Sequence, residues 1–385
     1  METTLNCACH ICGGRLSALP GFGTLVQVTS DCRPWRAGGT LASCERCGAV
    51  QKPVTPAWLD EANSIYAEYA IYSQGGGAEQ SAFDADSGAN TARSNRIVQW
   101  LLETGHLPEQ GTMLDIGCGN GAFLRAFSER NPGWQMAGLE LGERNRAVIE
   151  AIPGVTQLYV GSIDQVEARF DLIVLIHALE HIPQPAQYLE LLAKRLKPGG
   201  ILLVEVPDLK TSPFDILIAD HTTHFTVDVL ERVVEDAGFA PLEIHSGYVP
   251  KELSLIARRS ADTTAKHDDV AVASASPGEA RSAAQSHISW LQSLLGQAEA
   301  TSGACGIFGT SISATWLAAS LDDRASFFVD EDRNRIGRTH MDRPIFAPTK
   351  APDSAPIFMP LRADIATAIA RRFEGTASRF VLPPQ

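Results

Sequence analysis

The stretch MLDIGCGNGAFL, residues 113–124, constrains the fold more tightly than any other part of the chain. Apolar residues lead up to Asp115, then Gly117, Gly119 and Gly121 alternate before an amphipathic run begins. That pattern reads as a strand, a tight glycine turn and a helix, with backbone N–H groups gathered at the helix N-terminus. A phosphate, a dinucleotide or a sulfonium cofactor can each use such a turn. A pyrophosphate site carries G-x-G-x-x-G directly after its strand, whereas the order here is Asp-x-Gly-x-Gly-x-Gly. An ionised Asp115 would repel a pyrophosphate and suits a cationic ligand. A phosphate loop is excluded as well, because no Gly-Lys-Ser/Thr follows.

The neighbouring segments extend this reading. QMAGLEL ends near Glu140, where a carboxylate can accept both hydroxyls of an adenosine ribose; a solvated strand-end charge is the alternative. In VGSID, Ser162 and Ile163 stand where a flat base could lie. RSNRIVQWLLETG has helical periodicity, while TMLDIG, QMAGLEL, TQLYVG, FDLIVLIH and GILLVEVP read as buried strands with helical patterns between them. Such alternation predicts a parallel α/β sheet with right-handed crossovers. APLEIHSG and ELSLIARR follow without a helix between them, which predicts an antiparallel hairpin at one sheet edge.

A length of 385 residues suggests two or three domains, and 44% hydrophobic with 20% charged residues is a soluble globular composition. The first residues carry no basic and apolar leader, and the apolar runs are shorter than a membrane span. The expectation is a cytoplasmic protein with no membrane association. A net charge of −13 argues against nucleic-acid binding. Of the eight cysteines, Cys7, Cys9, Cys12, Cys32, Cys44 and Cys47 fall near the N-terminus. CHICGG and CERCGA are two Cys-x-x-Cys-Gly knuckles, so Cys9, Cys12, Cys44 and Cys47 can close one tetrahedral, structural zinc site. Redox or free thiols are the other reading, and Cys7 or His10 could replace a ligand.

These features divide the chain into a zinc-binding domain (1–52), a connector or lid (53–91), the central α/β domain (92–259), a linker (260–283) and a second α/β unit (284–385). In the connector, Tyr66, Tyr69 and Tyr72 recur at helical spacing, as a packed face, and the glycines at 75–77 end that helix. The Ser-, Ala- and Asp-rich stretch around residues 260–283 reads as a linker.

LDIGCGNGAFL, LEL and LKPGGILLVEVP together resemble class I S-adenosylmethionine-dependent methyltransferases across residues 92–259. The resemblance implies a seven-stranded, Rossmann-like α/β fold and S-adenosylmethionine as cofactor, surrounded by Asp115, Gly117, Gly119, Glu140 and Ile163. Cys118, Gly121, Ser162 and His177 join them as cofactor-binding candidates. With the CxxCG segment and the C-terminal GxFGTS…FVDED unit, the chain further resembles zinc-containing sugar C-methyltransferases, whose acceptors are nucleotide-linked keto-deoxysugars. That family's lid Tyr-x-Tyr-His-Ser-Ser corresponds to YAIYSQG, which makes Tyr72 a catalytic candidate. Its Glu-His-x-x-x-Phe-Ser aligns with DHTTHFT, matching Asp220 to the Glu and His221 to the basic His, with His224 as the rival. His177 and His181, four apart in LIHALEHIP, are expected on one helical turn at the cofactor edge, His181 chiefly as a capping or packing residue. The C-terminal Rossmann-like unit, with GIFGTS and Asp330, is by resemblance no cofactor site and walls the acceptor pocket. O- or N-methylation of a sugar or other small molecule, and a catalytically inactive zinc-ribbon binding protein, are the competing readings.

Overall fold

The computed structural model describes residues 4–69, 81–83, 90–260, 277–352, 355–375 and 379–385. Its central sheet has seven strands in the order Val155–Val160, Gln135–Glu140, Thr112–Ile116, Phe170–Ile176, Leu196–Pro207, Glu252–Arg259, Phe239–Ser246. The first five run parallel, and the last two form the expected antiparallel hairpin. Phe170–Ile176 and most of Leu196–Pro207 are buried along their length, because helices cover both faces of a parallel sheet. On one face, Ile97, Val98, Trp100 and Leu101 of helix Arg93–Glu103 pack with Phe123 and Phe127 of helix Ala122–Arg130. The strand order reverses beside Thr112–Ile116, so the carboxyl ends of that strand and of Phe170–Ile176 open a crevice where α/β sheets place their ligands.

The N-terminal sheet runs Thr4–Ala8, Arg15–Ala18, Ala42–Cys44, Val50–Gln51, Thr223–His224. Its last strand belongs to a loop of the central unit, and Thr223 and His224 pair antiparallel with Gln51 and Val50. Helix Pro56–Ala67 follows, capped by Thr55, whose hydroxyl accepts from Trp58 N–H. It stops sooner than the tyrosine spacing implies: Glu68 leaves helical geometry and its N–H turns back to Ile65 and Tyr66. Tyr69 therefore lies past the helix, while Tyr72 and the glycines at 75–77 fall outside the described residues.

The C-terminal sheet orders Thr339–His340, Arg343–Phe346, Ala325–Val329, Cys305–Phe308, Pro356–Phe358 and Arg379–Val381, parallel except at Thr339–His340. Helix Pro277–Glu299 precedes it and corrects the reading of residues 260–283 as linker, since 277–283 are helical. Ala284, Ile288, Leu291, Leu294 and Ala298 form a helical stripe that alanine- and serine-rich composition obscures. The stripe packs between Leu19, Phe22 and Leu25 of the N-terminal segment and Trp316 and Leu317 of the C-terminal unit. Arg281 donates to Ser43 Oγ and the ring of His287 bonds Leu209 O, so the helix ties all three sheets together.

Candidate active site

The alternating glycines have a backbone cause. Gly117, Gly119 and Gly121 take φ of 67°, 59° and 80°, a left-handed geometry that a side chain disfavours. At Gly121, which caps helix Ala122–Arg130, a Cβ would also come within 2.6 Å of Ile152 Cδ1. Glu140 closes the turn from the adjacent strand, its Oε1 accepting from Gly119 N–H at 2.5 Å and its Oε2 from Leu141 N–H at 3.2 Å. Burial raises the Glu140 pKa despite these bonds. Asp115 is fully buried, and burial together with the Glu140 charge pushes its carboxyl well above the ordinary range. Desolvation and a neighbouring carboxylate therefore work against the ionised Asp115 expected from the sequence. A cation in the turn would reverse that balance. Cys118 points the other way, into the core against Gly138, where an added Cβ would lie 2.5 Å from its Sγ. Burial raises its thiol pKa. Ile163 is buried beyond the third strand, and Ser162 caps its short 3-10 turn through Asp164 N–H.

His177 and His181 do not share a helical turn. His177 ends its strand at φ 50° with its N–H on Glu205 O, and His181 closes the 3-10 turn Leu179–His181. The strand's pairing with Leu196–Pro207 holds His177 N–H and prevents an α-helix from starting there. His177 Nδ1 lies 3.1 Å from Glu180 Oε1 and its Nε2 lies 3.4 Å from Glu252 Oε1. Burial alone would depress its pKa, but Glu252 and Glu180 outweigh burial and hold it up at about 10. Glu205, alongside, is pushed up to about 8 by burial and by Glu252.

The loop after Leu196–Pro207 carries the other histidines. Asp215, on the turn Asp215–Leu217, bridges two rings: Oδ1 is 2.7 Å from His221 Nδ1 and Oδ2 is 2.5 Å from His224 Nδ1. Burial pushes the Asp215 carboxyl up, yet the two histidines overcome this and hold it well below the usual range. Both rings then donate through Nδ1, and the neutral form of each carries its lone pair on Nε2. Asp220, expected beside His221, instead faces His181 and is held by Ser30 N–H and the Ser30 hydroxyl. His181 lies edge-on to His221 with centroids 4.5 Å apart, and its Nδ1 meets the Tyr66 hydroxyl at 3.1 Å. The ammonium of Lys52, buried beneath this loop, donates to Ile218 O, and burial pulls its pKa down to about 8. Asp215, Tyr66, Ser30 and Lys52 were not among the candidates. Only the lone acid in the apolar run PFDIL hinted at one of them.

The four knuckle cysteines converge, with all Sγ atoms within 4.8 Å of one another. Cys9 and Cys47 sulfurs are 3.7 Å apart and those of Cys12 and Cys44 are 3.4 Å apart. A zinc tetrahedron with bonds of about 2.3 Å has edges of about 3.8 Å, so this set fits such an ion. Cys7 and His10 stand outside it; His10 Nε2 meets Thr223 Oγ1 at 2.7 Å. Gln51 connects the group to the histidine loop. Its Nε2 donates to Cys9 Sγ, its Oε1 accepts from His10 N–H, and its backbone pairs with Thr223.

Residues 89–244 match the family described as methyltransferase domain. The match falls on the central α/β unit that carries the glycine turn. The ubiquinone biosynthesis O-methyltransferase of Idiomarina loihiensis is 33% identical over 119 residues, covering 28% of this chain and 48% of that protein. The protein of the same name from Pseudomonas paraeruginosa is 26% identical over 147 residues, covering 36% of this chain and 61% of its own. The chain thus spans about half the length of these curated relatives. The 1,6-didemethyltoxoflavin-N1-methyltransferase of Burkholderia thailandensis aligns with a TM-score of 0.39 and 19% identity over 55% of this chain and 96% of its own. Among the described residues, no helix is long and apolar enough to cross a membrane.

Proposed function

We propose that the chain is an S-adenosylmethionine-dependent methyltransferase that methylates a carbon of a small-molecule acceptor, a nucleotide-linked keto-deoxysugar. The observation that carries this reading is the pair His221 and His224 bridged by the ionised Asp215, in a loop at the carboxyl edge of a class I methyltransferase sheet. S-adenosylmethionine, when bound, supplies an electrophilic methyl group for in-line transfer. Glu140 and the Gly117–Gly121 turn would hold its ribose and methionine ends, and Ser162, Ile163 and His177 would border it. Asp215 fixes His221 in the tautomer whose Nε2 can accept a proton. His221 then takes the proton from the carbon next to the acceptor's ketone, and His224 completes the Asp215 bridge. The four cysteines hold a structural zinc that fixes the strand Val50–Gln51, and through it the loop.

The carbon-methylating sugar reading is supported by the match of DHTTHFT and the CxxCG segments to the sugar C-methyltransferases. O-methylation is the second reading, supported by the names of the curated relatives, and would use the same loop to deprotonate a hydroxyl. Incubation with S-adenosylmethionine and a nucleotide-linked keto-deoxysugar should release S-adenosylhomocysteine and give a new C–CH3 signal by NMR. An O–CH3 signal selects the second reading. No release of S-adenosylhomocysteine with keto sugars, hydroxylated aromatics or amines would leave the inactive zinc-ribbon reading standing.

A further inference from the structure

We propose that Glu180, His181 and His221 form a second cation site, for a first-row divalent ion, and that this ion competes with the acceptor's proton for His221. The three side chains each offer one ligand atom, all within 4.8 Å of one another. Glu180 and His181 come from the turn Leu179–His181 and His221 from the loop, and Thr222 N–H donates to Glu180 O at 2.8 Å to join the two segments.

The donor atoms are oriented as a metal requires. His221 donates through Nδ1 to Asp215. His181 Nδ1 faces the Asp220 carbonyl at 3.1 Å and Asp220 Oδ2 at 3.3 Å, both acceptors, so this nitrogen carries the proton. In its neutral form each ring therefore offers its lone pair on Nε2, and among the described residues no hydrogen bond is made to either Nε2. A histidine backed by a carboxylate on its far nitrogen is the usual outer arrangement of protein metal ligands. Glu180 supplies the anion: Oε1 accepts from His177 Nδ1, while Oε2 is buried with no partner. A buried, unpartnered carboxylate oxygen is costly, and a bound cation removes that cost. Two histidines and one carboxylate suit zinc, cobalt or iron in the divalent state and leave at least one position open. Bonds of about 2.0–2.1 Å set ligand separations of about 3.3 Å in a tetrahedron, so the side chains close by no more than about 1.5 Å.

Binding of the ion stands on this geometry alone. Its competition with the proton rests on the proposed role of His221, whose Nε2 cannot hold a metal and accept a proton together. The test titrates Co2+ into zinc-loaded protein that already carries one zinc per chain. Wild type should bind a second equivalent, with a d–d spectrum lacking the strong thiolate charge-transfer band. Glu180→Gln and His181→Asn should each weaken that event by on the order of 100-fold, and Asp220→Asn by about 10–100-fold. Retained zinc and unchanged S-adenosylhomocysteine affinity establish that the variants fold. Turnover of wild type should fall as the second equivalent fills. Absence of a second equivalent, or its persistence in Glu180→Gln, overturns the site. A second equivalent that binds at these residues without lowering turnover upholds the site and overturns the use of His221 as base.

Discussion

Replacing Asp215 with Asn tests the proposed proton-transfer pair directly. Asp215 accepts from His221 Nδ1 at 2.7 Å and from His224 Nδ1 at 2.5 Å. Asn keeps one acceptor oxygen but turns an NH2 group toward the second ring. One charge-assisted bond, of about 1.5–3 kcal/mol, is lost, and one ring must flip its tautomer. If that ring is His221, its Nε2 carries a proton and cannot accept another. The loss in turnover is then at least about 10–150-fold and reaches about 10⁴-fold when the wrong tautomer dominates. Glu140 and Gly119, proposed to hold the cofactor, bond each other and not this pair, so S-adenosylmethionine affinity should change less than about twofold. Asp215 has its folded pKa lowered, so its stabilising contribution is present above the unfolded value near 3.9 and is lost as pH falls through the folded value. The Asp215 carboxylate itself should therefore add no pH dependence to the stability gap between wild type and Asp215→Asn above about pH 5. Steady-state release of S-adenosylhomocysteine, calorimetric cofactor binding and urea unfolding measure the three quantities. His221→Asn should match the loss in turnover and stop exchange of the acceptor's α-proton with deuterated water, whereas His224→Asn should retain activity. Turnover within tenfold of wild type for Asp215→Asn would falsify the assignment of the base to this pair.

The other expectations concern separate parts of the molecule. Glu140→Ala should weaken S-adenosylmethionine binding by about 1.5–3 kcal/mol, and NAD should show no affinity for the same site; equal calorimetric affinity in wild type and mutant removes Glu140 from the ribose. Cys44→Ser should lose the zinc, by metal analysis, and lose turnover while keeping cofactor affinity, because Val50–Gln51 pairs with Thr223–His224 and not with the glycine turn. A variant that retains its zinc argues against the four-cysteine site. His177 has its folded pKa raised to about 10, so its ion pairs contribute fully below the unfolded value near 6.5 and are lost as pH rises through 10. Urea midpoints of wild type should fall between about pH 7 and 10 more steeply than those of His177→Gln, and parallel curves would refute the buried ion pair.

Much of the site was legible in the sequence because its signals are local. Gly117, Gly119 and Gly121 announce their left-handed turn within five residues, and the apolar runs of the central strands announce burial by their own composition. The two Cys-x-x-Cys-Gly knuckles carry their ligand geometry in their spacing. Asp115 shows the limit of such reading: position places it in the turn, but its charge state depends on how deeply the sheet buries it and on Glu140 from the next strand.

Helix Pro277–Glu299 was hidden because its stripe needs the neighbouring sheets to give five apolar positions something to bury against. The choice of partners among the acids and histidines belongs wholly to the tertiary structure. By sequence Asp220 adjoins His221, yet it serves His181 and Ser30, and Asp215, six residues upstream of His221, takes both loop histidines. A charge on a loop carries no record of direction; the pairing of Thr223–His224 with Val50–Gln51 sets that direction from more than 170 residues away. The sequence by itself determined which segments become strands, turn and thiol knuckles, since those follow from backbone geometry and hydrophobic period. Only the tertiary structure decided which carboxylate holds which imidazole, because that depends on the path of the loop between two sheets.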